Sequence, residues 1–381
     1  MSRRDAERAW LELDPQAIEA NVAEVRRVSG AGLTAVVKAD GYGHGSATVA
    51  RAAVAAGAEA LAVATPHAAR ALRAAGVEAP IQVLGAVLDG ELPLALEAQA
   101  QLTVHAPGDL ARYADAARRA QRTLDVHVMV DVGMHRHGVT PTQAVTALRG
   151  CRGGLRAVGL MTHLPCAADA DLTSTVAQVQ TFRRVVGDAA RAGVLPARVH
   201  AAASCALFRV PAARFNHVRS GIALVGLDPG GRIAASGARL TPALSVKSRV
   251  LGFKRIAQGA QAGYSGRWTA PRDSVLAIVG IGYGDGWPYT LTGQEGEVLI
   301  GGRRCAVVGS VMMDYLLVDV TEVAQVAAGD EVVLVGRQGE LSLPLEEQAQ
   351  KAGLIPYALA CSLGAHLRRE VLRSATLRVA A

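Results

Sequence analysis

Eight short, β-rich apolar runs recur through the first 230 residues of this 381-residue chain, and alanine-rich stretches of helical character separate them. The runs begin at Thr34, Ala60, Ile81, Gln101, Leu124, Leu155, Arg198 and His217. The stretches between them place apolar residues at helical spacing and often end in glycine, a common helix stop. Repeated strand and helix units of this kind predict an α/β fold, and eight of them predict a closed (β/α)8 TIM-type barrel. Because only the periodicity indicates a closed barrel, an open doubly wound sheet remains the alternative.

The pattern changes at about Leu240, where strand-like runs separated by Gly, Pro and Asp pairs begin. Runs such as ALSVKSRVLGF, SVLAIVGIGYGDG and YLLVDV predict a mostly-β second domain. The preceding segment GLDPGGRIAASGARLTP is rich in small and turn-forming residues, which is typical of a linker. We therefore expect a barrel domain at residues 1–237 and a β-rich domain at residues 238–381.

Composition excludes several classes of protein. Half of the residues are hydrophobic, and we find neither a secretory signal pattern nor an apolar run of 18 residues, so we expect a cytoplasmic protein without a membrane partner. The net charge of +7 comes from dispersed arginines with only 4% aromatic residues, which argues against nucleic-acid binding. The five cysteines are scattered without close pairing, a distribution that predicts reduced thiols and no metal site.

Polar residues follow several of the predicted barrel strands, at the end of a barrel where active sites lie. They are Lys38 and Tyr42 after the first run, Arg136 after the fifth, His163 after the sixth, Ser204 after the seventh, and Arg219, Gly221 and Ile222 at the eighth. Each residue alone has an ordinary structural explanation, such as a buried histidine, a helix cap or a salt bridge. Together they provide an amine, two arginines, a ring that can stack and a strand end with exposed backbone N–H groups. Such a set suits pyridoxal 5'-phosphate.

The stretch VVKADGYGHG around Lys38 resembles the cofactor-lysine signature of the alanine racemase family, the fold-type III pyridoxal phosphate-dependent amino-acid racemases. Other segments are similar to the same family in order and spacing, namely VDVGMHRHGV, MTHLPCAAD, HAAAS, VRSGIALVGL, GYSGRW, IGYGDGWP and GSVMMD. The resemblance extends from about Trp10 to Gly364. It implies a barrel followed by a β-domain, and a homodimer in which each active site borrows residues from the partner's β-domain.

The resemblance also implies roles for individual residues. Lys38 would bind the cofactor as a Schiff base and serve as the base on the D side of the substrate, while Tyr264 from the partner would be the opposite base. His163 would lie against the cofactor ring, and Arg219 would contact the pyridine nitrogen, which favours racemisation over amino transfer. The phosphate would be held by Tyr42, Ser204, Gly221 and Ile222. The substrate region would include Arg136 and, from the partner, Tyr283, Met313 and Asp314.

Three positions depart from the family pattern. Met129 stands where many members have a lysine whose carbamate orients the substrate arginine. Ser310 stands where an arginine usually follows the glycine of GSVMMD. Near the C-terminus, HLRREV places Val371 where the family usually has a phosphate-binding tyrosine, and Tyr357 is a candidate to compensate.

These features lead to the hypothesis of an alanine racemase, an isomerase that interconverts L-alanine and D-alanine with two bases and supplies D-alanine for peptidoglycan. Because the departures fall around the substrate, a racemase for other or several amino acids is an alternative. A non-catalytic cofactor carrier is another, although such proteins usually lack a β-domain. A decarboxylase is less consistent with Arg219, because an acidic residue would be expected at the pyridine nitrogen.

Overall fold

The computed structural model describes residues 7–293 and 296–372. After strand β1 (Ala9–Leu13), the chain alternates strands with helices and closes a barrel of parallel strands paired in chain order. The barrel strands are β2 (Gly32–Val36), β3 (Ala60–Val63), β4 (Ile81–Val83), β5 (Gln101–Val104), β6 (Leu124–Met129), β7 (Leu155–Met161), β8 (Arg198–His200) and β9 (His217–Ser220). Parallel pairing of β2 with β9 completes the ring, with Thr34 opposite Arg219. The closed barrel is confirmed and the open sheet was the wrong alternative.

Helices surround the barrel strands. Their bounds are α1 (Pro15–Ser29), α2 (Lys38–Tyr42), α3 (Ser46–Ala55), α4 (Pro66–Ala74), α5 (Leu92–Glu97), α6 (Pro107–Arg119), α7 (Ala144–Gly150), α8 (Thr173–Arg191) and α9 (Ser204–Arg209). Helix α1 illustrates how sequence sets the ends. The Asp14 side chain accepts a hydrogen bond from the Gln16 backbone N–H over 2.9 Å, Pro15 occupies the first helical position, and Gly30 stops the helix with a left-handed φ of 60°.

The second sheet has nine strands in the order β18, β17, β14, β15, β16, β13, β10, β1, β19. The strands after the barrel are β10 (Leu244–Ile256), β11 (Gln261–Ala262), β12 (Trp268–Thr269), β13 (Ser274–Val279), β14 (Glu297–Ile300), β15 (Arg303–Val308), β16 (Leu316–Asp319), β17 (Glu331–Gln338), β18 (Leu341–Leu343) and β19 (Arg369–Val371). Strands β11 and β12 pair with each other in a separate small sheet. The mostly-β second domain is confirmed, and β1 joins it from the N-terminal side of the barrel.

Two helices of the C-terminal region were not predicted from the sequence: α10 (Leu345–Lys351) and α11 (Pro356–His366). Helix α11 packs against α2 at the end of the barrel that carries the predicted site residues. One continuous hydrophobic core joins the two folded regions, since Leu33 and Leu160 of the barrel belong to the same buried cluster as Val279 and Trp287. No helix among the described residues is long and apolar enough to cross a membrane.

Candidate active site

Lys38 lies at the start of an unusual turn, which we call the Lys38 turn and define as residues 38–43. It follows β2, and φ is positive from Ala39 through Gly43. Ala39 and Asp40 have φ/ψ near 51°/50°, so α2 is a left-handed turn. A left-handed conformation costs about 1–2 kcal/mol for each non-glycine residue. The surrounding structure therefore has to hold this turn in place, and such strain is typical of functional sites.

A cavity of about 320 Å³ opens at this end of the barrel. It lies within the size range of small-molecule sites. Eight of the sequence-predicted residues line it: Lys38, Tyr42, Arg136, His163, Ser204, Arg219, Gly221 and Ile222. They come from different strand ends, so barrel closure brings together residues that are up to about 180 positions apart in the sequence. The lining also includes residues that sequence reasoning did not single out, among them Leu84, Met161, Pro165 and Cys205.

The cavity is positively charged. None of its lining residues, all of which lie in the described part of the chain, is acidic, whereas Lys38, Arg136 and Arg219 are basic. Burial, together with Arg136 and Arg219, lowers the pKa of Lys38. Burial first, and then the same two arginines and Lys38, lowers the pKa of His163 to about 3. The site therefore destabilises the protonated form of the Lys38 amine, favours a neutral His163 imidazole and suits an anionic ligand.

Arg219 is fixed by several acceptors. Its side chain is buried, and Nη1 donates to Nδ1 of His200 over 2.8 Å and to the His200 carbonyl over 3.1 Å. Nη2 donates to the Thr162 carbonyl over 2.7 Å. Burial lowers the pKa of Arg219 to about 10, which still leaves the guanidinium charged at neutral pH. The structure thus presents a rigid cation at the cavity wall.

A hydrogen-bond chain runs from Arg219 into the barrel interior. His200 Nε2 lies 3.0 Å from His127 Nδ1, and His127 Nε2 lies 2.9 Å from Oε1 of Gln101. Because arginine only donates, His200 Nδ1 must accept, so His200 carries its proton on Nε2. The same argument places the His127 proton on Nε2, where it is donated to Gln101. Burial lowers the pKa of His127 to about 3 and that of His200 well below its usual value, in keeping with neutral rings.

The strand end after β9 forms a polar cradle. The Ser204 hydroxyl lies 3.2 Å from the Ser220 hydroxyl and accepts a hydrogen bond of 3.2 Å from the Gly221 backbone N–H. A Cβ on Gly221 would lie 2.3 Å from the Tyr42 hydroxyl, so only glycine fits beside this ring. Burial, followed by Tyr357 and Cys361, raises the pKa of Tyr42 above its usual range, which keeps its hydroxyl protonated. The hydroxyls of Ser204 and Tyr42 therefore lie together at this corner of the cavity.

The expectation for Val371 was wrong. Val371 lies in edge strand β19 opposite Leu13, is 45% exposed and does not line the cavity. Tyr357 of α11 lines the cavity instead, with its ring centroid 6.0 Å from that of Tyr42. Burial, with smaller contributions from Cys205 and Asp228, raises the pKa of Tyr357 to about 12, so its hydroxyl can donate. The tyrosine was difficult to assign because α11 was not recognised in the sequence.

The other two departures have distinct surroundings. Met129 is buried and lines the cavity together with Arg136, so an apolar side chain stands where the family often has a lysine. Ser310 is buried in the β-domain, and its hydroxyl donates to the Tyr264 carbonyl over 3.0 Å. Ser310 therefore fixes the main chain that carries Tyr264.

The remaining predicted site residues do not line the cavity. They lie on the β-domain and are exposed, and we call them the tyrosine patch: Tyr264, Tyr283, Met313 and Asp314. Main-chain hydrogen bonds tie its loops together, from Tyr283 N–H to the Met312 carbonyl and from Gly284 N–H to the Met313 carbonyl, both 2.9 Å. Tyr264 is 72% exposed. A single chain thus carries the two predicted halves of the site on separate surfaces.

Comparison with known proteins agrees with this geometry. Residues 13–229 match the family described as alanine racemase, N-terminal domain, and residues 243–371 match alanine racemase, C-terminal domain. The chain belongs to the alanine racemase family. The family predicted from the sequence is confirmed. The expected enzyme class, an isomerase of the alanine racemase family, is confirmed with it.

Individual relatives align over almost the whole chain. The alanine racemase of Symbiobacterium thermophilum is 38% identical over 364 residues, covering 94% of this chain and 96% of the relative. The solved alanine racemase of Streptomyces coelicolor A3(2) is 34% identical with a TM-score of 0.90, covering 97% of this chain and 99% of that one. A third, from Bartonella henselae, was solved with covalently bound pyridoxal phosphate and has 26% identity and a TM-score of 0.84, covering 96% and 100%.

Proposed function

We propose that this chain is a pyridoxal 5'-phosphate-dependent racemase that interconverts L-alanine and D-alanine with two bases. The observation that carries the proposal is the placement of Lys38 in one cavity with Arg136 and Arg219 and without an acidic lining residue. The lowered pKa of Lys38 supports a reactive amine there. Membership of the alanine racemase family supports alanine as the substrate.

The residues present fit pyridoxal phosphate. The cofactor supplies an aldehyde that a lysine amine can bind and a ring that accepts electron density when a proton leaves the substrate α-carbon. Lys38 would bind it covalently, and the cradle at Ser204, Gly221 and Ile222 would hold the phosphate with the hydroxyls of Tyr42 and Tyr357. Arg219 would contact the pyridine nitrogen and His163 the ring. The buried Arg219 guanidinium, which has carbonyl and imidazole acceptors, would keep that nitrogen without an added proton and so would favour racemisation over amino transfer.

Two groups would move protons on opposite faces of the substrate. The Lys38 amine would remove or return the α-proton on the D side, and the phenol of Tyr264 would do so on the L side. Since Tyr264 does not line the cavity of its own chain, we propose a head-to-tail homodimer in which the partner supplies the tyrosine patch. Arg136, at the cavity rim, would bind the substrate carboxylate.

The buried Met129, which lines the same cavity as Arg136, favours a second candidate, a racemase of broader specificity. A methionine is apolar and adaptable, and it cannot provide the charge of a modified lysine. In either case we propose a cytoplasmic enzyme, and for alanine a supply of the D enantiomer for peptidoglycan.

The deciding experiment is a racemisation assay of the purified protein with added pyridoxal phosphate against a panel of single amino acids, using chiral detection. We expect D-alanine from L-alanine and the reverse, with Lys38→Ala inactive. Borohydride reduction and peptide mapping should place the cofactor label on Lys38 rather than on Lys247, Lys254 or Lys351, the other lysines of the chain. Comparable activity on alanine and other amino acids, or activity on another amino acid alone, would select the second candidate, and no activity with any amino acid would reject both.

A further inference from the structure

We propose that Arg369 is a positioning residue that clamps the Lys38 turn to helix α11 and thereby sets the position of the Lys38 amine. This inference rests on the proposed function, in which Lys38 is the reactive group. Arg369 is more than 300 residues from Lys38 in the sequence and belongs to strand β19.

The Lys38 turn cannot be held by its own sequence. Ala39, Asp40 and Tyr42 have φ of 51°, 51° and 56°, a region that residues with a Cβ rarely occupy. Bonds within the turn and its continuation support it, including Gly43 N–H to the Ala39 carbonyl at 3.0 Å and Gly45 N–H to the Asp40 carbonyl at 2.8 Å. Such bonds accompany any turn of this hand and do not remove its cost. Conformations of this kind persist where neighbouring structure over-determines them.

Arg369 provides that external support with one guanidinium. Its Nε donates to the Gly43 carbonyl over 3.0 Å, and Nη2 lies 2.6 Å from Oδ2 of Asp40. Nη2 also donates to the Gly364 carbonyl in α11. The side chain therefore connects the middle of the turn, the end of the turn and the helix behind it.

The backbones of the turn and the helix are in direct contact at this point. A Cβ on Gly43 would lie 2.0 Å from the Ala360 carbonyl oxygen, and a Cβ on Gly364 would lie 2.1 Å from the Gly43 carbonyl oxygen. Two glycines therefore allow an approach that side chains would prevent. Because α11 also carries Tyr357 into the cavity, the position of this helix fixes two elements of the site together.

The backbone of Arg369 is held by the nine-stranded sheet. Its backbone pairs with Leu11 of β1, so its Cα is part of the nine-stranded sheet. Asp40 is about half exposed and the arginine a quarter exposed, which makes their ion pair a weak contributor. The charge-assisted bonds to the two carbonyls carry more of the effect, because the fork of one arginine can serve both at once.

The neighbouring Arg368 offers a matched control. It precedes Arg369 in the same segment, but its side chain is half exposed and pairs with Glu7 at the surface. Arg368→Ala removes the same number of side-chain atoms from the same stretch without touching the Lys38 turn. Arg369→Lys keeps the charge near Asp40 but cannot reach two carbonyls in the geometry of a planar fork.

The first measurement is amide hydrogen exchange in the cofactor-free protein, followed on peptides that cover residues 39–45. Loss of a charge-assisted hydrogen bond corresponds to about a tenfold or greater change in an opening equilibrium. We expect Arg369→Ala to accelerate exchange there by about this factor, Arg369→Lys by less, and Arg368→Ala not at all. Equal exchange in the wild type and Arg369→Ala would overturn the proposal. If Arg369→Ala does not fold, the exchange rates of residues 39–45 in Arg369→Lys and in Arg368→Ala are compared instead, and faster exchange only in Arg369→Lys supports the proposal.

The second measurement is the kinetics of racemisation with saturating cofactor. A misplaced Lys38 should lower kcat in both directions, with a smaller change in KM for alanine, and Arg369→Lys should restore part of the rate. Faster exchange with an unchanged kcat would mean that Arg369 stabilises the turn without positioning the amine, which would reject the proposal. If the wild type does not racemise alanine, the proposed function fails, whereas the exchange experiment still decides whether the clamp exists.

Discussion

Nη1 of Arg219 donates a hydrogen bond to Nδ1 of His200 over 2.8 Å, and this contact determines the proton positions of the histidines behind it. We predict that His200 and His127 are both neutral and protonated on Nε2 at neutral pH. Nitrogen-15 NMR of histidine-labelled protein distinguishes the two ring nitrogens. A proton on Nδ1 of His200 would contradict the contact, because two donors would then face each other.

Arg219→Glu should change the outcome of the reaction. A carboxylate at this position would favour protonation of the pyridine nitrogen and with it the transfer of the amino group to the cofactor. We expect more pyruvate from alanine relative to racemisation than in the wild type. The measurement is the ratio of pyruvate to the opposite enantiomer at equal enzyme concentrations. If this ratio stays constant while the protein remains folded and binds cofactor, Arg219 does not act at the ring nitrogen.

Tyr264→Phe should impair the two directions unequally. The phenol is assigned to the L side, so loss of its proton-transfer group should slow deuterium exchange into L-alanine more than into D-alanine. Removal of a positioned acid or base typically costs about 10²–10⁴ in rate. Tyr315→Phe is the control, because Tyr315 is also a partly exposed tyrosine of the β-domain and this substitution likewise removes a hydroxyl and keeps the ring. Equal slowing for both enantiomers would argue against two separate bases.

Tyr357→Phe should weaken cofactor binding, whereas Val371→Tyr should leave it unchanged. Tyr357 lines the cavity, while Val371 is on an exposed edge strand. One hydrogen bond to a charged group is worth roughly 1.5–3 kcal/mol, or about 10- to 150-fold in affinity. The titration should be done by absorbance in the Lys38→Ala background, where binding is reversible. Tighter cofactor binding by Val371→Tyr would support the sequence-based expectation that position 371 corresponds to the phosphate-binding tyrosine of the family.

Acid should destabilise this fold through its buried neutral histidines. Burial lowers the pKa of His127 to about 3 and that of His217 to about 4, from an unfolded value of 6.5. Between those values the unfolded chain binds more protons than the folded chain. The free energy of unfolding should therefore decrease as pH falls from about 6.5 towards 4, by about 1.4 kcal/mol per pH unit for each such histidine.

Urea unfolding at several pH values measures this slope. His217→Gln should reduce the number of protons taken up on unfolding by one, and it retains an amide that can bond to Thr34, which now lies 2.8 Å from His217 Nε2. An unchanged slope in this variant would show that His217 is already protonated in the folded state.

The barrel, the second sheet and eight of the twenty residues that line the cavity could be predicted from the sequence, because they follow from local patterns. Apolar runs at Thr34 and His217 define the first and last barrel strands, and barrel closure then brings Lys38 and Arg219 to the same end. The strand pattern therefore predicts that Lys38 and Arg219 are close in space without any information on the distance between them. The family resemblance supplied the roles of residues, such as Tyr264, that periodicity could not reveal.

The tertiary structure alone decided which tyrosine enters the cavity, how the histidines are linked and what holds the Lys38 turn. Tyr357, His200 and Arg369 each act through contacts with residues that are distant in the sequence, and no local period or spacing encodes such pairs. The left-handed turn is the clearest case. Its sequence includes two glycines, Gly41 and Gly43, which tolerate the left-handed conformation. The support for the turn comes from helix α11 and from Arg369, more than 300 residues away, and these contacts form only when the chain has folded.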